Sequence, residues 1–136
     1  MTTAKRFEDL EVWQKAKELT NMIYSQSSSG TFSHDFVLRD QMRRASVSIM
    51  SNIVEGFESQ TQIMFIQYLG RAKGSAGEVR AQLYIAQDQG YLSDEEFGTV
   101  FSLVEVCSRQ LARFIQYLET QPNARRVREE GATYDV

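Results

Sequence analysis

Arg39-Asp40-Gln41-Met42-Arg43-Arg44-Ala45-Ser46-Val47-Ser48-Ile49-Met50-Ser51-Asn52-Ile53-Val54-Glu55-Gly56-Phe57 carries two apolar stripes where a helix with one buried face needs one. At about 100° per residue, Leu38, Met42, Ala45, Ile49 and Ile53 fall on one side, and Val47, Met50 and Val54 form a second strip beside them. The remaining arc holds Asp40, Gln41, Arg44, Ser48, Ser51, Asn52 and Glu55, so the helix is not buried all round. The first stripe predicts a place in a helical core. The second predicts self-association, with Val47, Met50 and Val54 in the interface between copies.

Outward from this segment the periodicity stays helical, which predicts an all-α chain. The single proline, Pro122, and the lack of alternating β-branched runs leave little room for strands. A first helix is predicted from about Asp9 to Ser25, with Leu10, Trp13, Ala16, Leu19, Met22 and Ile23 on one side. The serine-rich stretch Gln26 to Ser33, with Gly30, is the loop before the second helix, predicted over His34 to Glu55 with Gly56 as its left-handed stop. Ser59 or Thr61 can cap a long third helix reaching Gln89 and ending at Gly90. Ser93 and Glu96 have the spacing of a capping box for the fourth, whose stripe is Phe97, Val100, Phe101, Val104, Leu111, Ile115 and Leu118. These segments form one domain over residues 1–121. Residues 122–136, with Arg125, Arg126 and Arg128, read as a mobile tail.

The third helix contains Gly70, Gly74 and Gly77, each costing about 1 kcal/mol relative to alanine in a helix interior. They share one narrow sector with Ala81. Either the sector is a smooth strip on which another helix backbone packs closely, the preferred reading, or the helix bends or breaks near Gly74.

With 136 residues, 42% hydrophobic and 24% charged, the composition is that of a globular domain able to bury its own core. A net charge of −3 argues against nucleic-acid binding by bulk charge and leaves room only for a local basic face. No signal-peptide pattern and no membrane-length apolar run occur, and the lone Cys107 suits a reducing compartment, so the expectation is a cytoplasmic protein without membrane contact.

Catalytic and metal chemistry find little to work with. His34 is the only histidine and sits at a predicted helix start, too isolated for a triad. Cys107 faces the fourth helix's core side, as a small hydrophobe does. No Glu-x-x-His pair, phosphate-binding loop or dinucleotide turn occurs, so neither metal, cofactor nor small-molecule substrate is expected. Glu55 opposes a helix C-terminus and calls for compensation by the amides opening the next helix. Asn52 is expected to tie down the same turn, and Trp13 to pack. Arg39 and Arg43 lie in the second stripe and Arg44 on the polar arc. These arginines serve either in salt bridges between subunits or as a symmetric ring of charge for RNA phosphate or an acidic partner.

Phe7-Glu8-Asp9-Leu10-Glu11-Val12-Trp13-Gln14-Lys15-Ala16, then Gln41-Met42-Arg43-Arg44-Ala45 with Ser48-Ile49, then Asn52-Ile53-Val54-Glu55-Gly56-Phe57 and Ala72-Lys73-Gly74-Ser75, resemble the 23S ribosomal RNA intervening-sequence family over Phe7 to about Leu118. More distantly the chain resembles the accessory proteins of diversity-generating retroelements. The resemblance implies an antiparallel up-down four-helix bundle assembled as a homopentameric ring, and partners that include RNA or a nucleic-acid enzyme such as a reverse transcriptase. Met50, Ser33 and Glu58-Ser59 depart from the usual proline, Phe-Pro and glycine-basic pairs, the last removing a positive charge beside the Asn52–Phe57 motif. The expected function is a non-enzymatic scaffold that engages RNA or a nucleic-acid-processing partner. The alternatives are a purely structural or protein-protein assembly, or an enzyme with a site between subunits.

Overall fold

The computed structural model describes residues 4–121, so the predicted tail and its three arginines lie outside the described residues. Four helices carry the fold: Glu11–Gln26 (α1), Phe36–Glu58 (α2), Gln62–Asp88 (α3) and Asp94–Glu119 (α4), with no strand among the described residues. Short 3-10 turns at Phe7–Asp9 and Gly30–His34 precede α1 and α2.

The directions of the helices follow from side chains that tie one end to another. Gln26 Nε2 at the end of α1 donates to Glu96 O at the start of α4, at 3.4 Å. Gln62 Nε2 at the start of α3 donates to Leu118 O and Gln121 O at the end of α4, at 2.7 and 2.8 Å. Tyr91 Oη, just past α3, donates to Asp35 Oδ2, just before α2, at 2.8 Å. Each helix therefore runs against its neighbours, and α1 closes on α4 to complete a four-helix bundle. Leu19, Ile23, Met42, Ile49, Ile53, Phe65, Leu69, Leu83, Leu111 and Leu118 are fully buried in one core. The expected stripes of α1, α2 and α4 all reach this core, though Trp13, Met22, Phe97, Phe101 and Ile115 are only partly buried at its edge.

The helix ends use the chemistry that the sequence advertises, with two exceptions. Thr61 Oγ1 accepts from Met64 N at 3.1 Å to open α3, and Ser93 and Glu96 form the reciprocal capping box of α4. Gly90, at φ 76°, ends α3 in a Schellman arrangement, with Tyr91 N donating to Ala86 O and Gly90 N to Gln87 O. The first exception is the start of α2, capped by Asp35 through Leu38 N at 3.1 Å, two residues after the expected start.

The second exception is Gly56. It is not a left-handed stop, because α2 continues through it to Glu58 and its φ is negative. It is buried, and a Cβ there would lie 2.8 Å from Phe65 Cδ1 and 3.0 Å from Tyr68 Cβ. Here α2 and α3 cross closely before the turn, and only glycine leaves room. The expected close approach at Gly70, Gly74 and Gly77 does not occur within the chain: a Cβ at any of the three would meet nothing within 4 Å. Nor does α3 break at Gly74, for the helix is continuous from Gln62 to Asp88. The strip faces outward, and Ile63 and Ile85 at its two ends are 69% and 49% exposed.

Candidate interaction surface on the second and third helices

The arginines of α2 divide into two kinds. Arg39 Nε pairs with Asp40 Oδ1 at 2.9 Å, its Nη1 donates to Ser33 O at 3.0 Å, and its guanidinium lies over the Phe36 ring. That hydrogen bond and the positive charge hold the Asp40 carboxyl below its usual value. Arg43 donates to Ser27 Oγ and Ser28 Oγ at 2.9 and 3.1 Å and covers the Tyr24 ring. Both guanidinium groups thus fasten the connection between α1 and α2, a use that the helical pattern of α2 alone does not reveal. Within the chain, then, Arg39 and Arg43 already have partners, whereas the sequence suggested them for a neighbour's carboxylates or for phosphate. Arg44 is exposed and makes no hydrogen bond or ion pair among the described residues.

The second stripe is graded in exposure. Val47 is 39% exposed, while Met50 and Val54 are half-buried and Met50 packs against the core. Phe36, 60% exposed, continues the same side of the helix toward its start.

Asn52 does not fasten the turn after α2. Its Nδ2 reaches back to Ser48 O at 2.9 Å and Ser48 Oγ at 3.1 Å, and Ser48 Oγ bonds Ser75 Oγ on α3 at 2.9 Å. Glu55 is exposed and makes no contact with the amides that open α3, which Thr61 serves instead. With α2 extending a further turn to Glu58, Glu55 lies inside the helix and the dipole conflict that called for compensation is weaker. Trp13 packs edge-on against Phe7 with ring centroids 5.1 Å apart, under Lys17.

Between α2 and α3, Gln41, Arg44, Ala45, Ser48, Ser75, Glu78 and Gln82 line a polar cleft of about 420 Å³. Sequence reading found Arg44, Ser48 and Gln41 on one arc of α2. It missed Ser75, Glu78 and Gln82, because the i, i+3, i+7 spacing that aligns them on α3 is filled by polar residues that any solvated face could hold.

Cys107 and His34 lie apart from this cleft. Burial raises the Cys107 thiol to about 11, the charge of Glu18 adding to the effect, so it is a core residue and not an activated nucleophile. His34 is exposed, with Nδ1 3.3 Å from Gly30 O. Among the described residues no three His, Cys, Asp or Glu side chains converge on a possible metal position. No helix among them is long and apolar enough to cross a membrane.

The family model of the 23S rRNA-intervening sequence protein matches residues 8–113, most of the bundle. The chain belongs to this family. The match embraces Trp13, Asn52, Glu55, Gly56, Gly70, Gly74 and Gly77, so the motifs that carried the resemblance lie within it. A solved structure from Bacteroides thetaiotaomicron, a protein of unknown function from the S23 ribosomal protein family, is similar at 24% identity. The alignment covers 76% of this chain and 97% of that one, with a TM-score of 0.70. At this identity the likeness is one of fold. No curated protein matches the chain.

Proposed function

We propose that this family member is a non-enzymatic cytoplasmic scaffold that assembles with copies of itself, five in a ring as the family resemblance implies, and offers Arg44 from each copy to RNA. The outer face of α3 is the observation that carries the assembly. Three glycines together cost the helix about 3 kcal/mol relative to alanine, and nothing in the same chain packs on them. A second helix lying on that strip, between the exposed Ile63 and Ile85, supplies the missing compensation. Val47 and Phe36 on α2 provide an apolar ridge of the kind that such a strip accepts. A ridge on one helix and a strip on another allow a heterologous contact, which closes into a ring when the rotation between copies permits.

For RNA, the support is the unpaired guanidinium of Arg44, repeated by symmetry around the ring. The net charge of −3 keeps this binding weak and strongly salt-dependent. A nucleic-acid enzyme that brings its own RNA is the partner most compatible with such weak contacts.

Light scattering tests the assembly. The wild-type chain is expected to be oligomeric at micromolar concentration, and Val47→Asp to dissociate it without unfolding it, since Val47 is a surface residue of the single chain. A monomeric wild type sinks the reading. For RNA, Arg44→Ala is expected to lower affinity for a fluorescent structured RNA and flatten its salt dependence with the oligomer unchanged. Absence of saturable binding at tens of micromolar protein in low salt would leave a purely structural assembly.

A further inference from the structure

The polar cleft between α2 and α3 has a surplus of hydrogen-bonding groups that its own residues do not use. Gln82 Oε1 is buried and has no donor. Unlike Gln26, Gln62 and Gln110, whose amide nitrogens are bonded, Gln82 makes no side-chain hydrogen bond at either end. A buried acceptor of this sort costs free energy until a donor reaches it.

The serine pair leaves the opposite surplus. Asn52 Nδ2 donates to Ser48 Oγ and takes up no hydroxyl proton, and the Ser48–Ser75 bond uses only one of the two hydroxyl protons present. Whichever serine donates, one O–H remains for a third group. Arg44 adds an unpaired planar set of donors, and the unpaired carboxylate of Glu78 adds acceptors. The cleft therefore combines a donor side, Arg44 and a serine hydroxyl, with an acceptor side, Glu78 and Gln82.

We infer that this cleft receives an unpaired guanine base of an RNA strand, an inference that rests on the RNA reading of Arg44. Guanine has two adjacent acceptors, O6 and N7, which suit a guanidinium bidentately, and two adjacent donors, N1–H and the N2 amino group, which suit a carboxylate and an amide oxygen. Adenine would set its N1 lone pair against an acceptor, and uracil has a single N–H between two carbonyls. The volume of about 420 Å³ holds one base, and Arg44, Glu78 and Gln41 are exposed at its rim. An open cleft favours a base whose backbone stays outside over a free metabolite, because small ligands gain affinity by burying most of their surface. Arg44 then touches the base as well as lying beside phosphate.

The probe is a fluorescent oligouridylate with one central guanine, compared by anisotropy at low salt with the same strand carrying adenine, inosine or 7-deazaguanine there. The full chain is expected to bind the guanine strand roughly tenfold more tightly than the adenine strand. Inosine, lacking the amino group, and 7-deazaguanine, lacking N7, should each lose most of that preference. Glu78→Gln should abolish the preference while raising affinity for plain oligouridylate, because it removes a charge that repels phosphate. A purely structural Glu78 would leave the guanine preference intact. Equal binding of guanine and adenine strands, or a preference that survives Glu78→Gln, overturns the inference and leaves the RNA reading standing. No binding of any strand at tens of micromolar overturns both.

Discussion

A methyl group at position 56 would meet the ring of the fully buried Phe65 at 2.8 Å and the Cβ of Tyr68 at 3.0 Å, neither of which can rotate out of the way. Alanine favours the helix by about 1 kcal/mol, whereas overpacking a tight contact costs about 1–3 kcal/mol. Gly56→Ala is therefore expected to lower the thermal midpoint, and a midpoint at or above wild type in a calorimetric scan would show that α2 and α3 separate without cost. By sequence alone this glycine looks like a stop, because glycine after a helical run supplies the left-handed residue that ends a helix. What decides the matter is the distance to α3, which no residue near position 56 encodes. Arg43 teaches the same lesson, since its partners Ser27 and Ser28 come from the preceding loop.

At the scale of elements, the ends of α3 and α4 are local structures and were legible locally. Thr61 bonds a backbone amide three residues on, and Ser93 and Glu96 bond each other's amides, so the whole device lies within a few residues. Thr61→Ala should destabilise the chain by about 1 kcal/mol, read as a shift of the urea midpoint with the slope unchanged. A shift near zero would mean that the tie from Gln62 to Leu118 and Gln121 already holds this end. The cap of α2 is a different case: Asp35 precedes the apolar Phe36, Val37 and Leu38 as a cap should, but a helix started at His34 begins two residues too early and takes Asp35 as interior.

At the scale of the molecule, the outward glycines of α3 separate the stability of one chain from that of an assembly. Gly74→Ala meets no atom of its own chain, so under dilute conditions it should stabilise the monomer by up to about 1 kcal/mol. In the proposed ring the same methyl group holds a neighbouring helix away and weakens association. Opposite signs are thus expected from thermal denaturation at low concentration and from sedimentation at high concentration. Association unchanged by Gly74→Ala would place the interface on another face.

The all-helical class, the four segments, the core stripes of α1, α2 and α4 and three of the helix caps were determined by the sequence itself, because periodicity and capping act over one or two turns. The family was equally plain, carried by several motifs in order between Phe7 and Ser75. Only the tertiary structure decided which glycine a neighbouring helix needs, which arginines are already engaged, and which polar residues of α3 meet those of α2 in one cleft. Those are contacts between segments far apart in the chain, and a side chain's partners across such a gap depend on how two helices are rotated and set against each other. Helical periodicity gives the rotation of each helix about its own axis, but the setting of one helix against another emerges only when the whole core is packed.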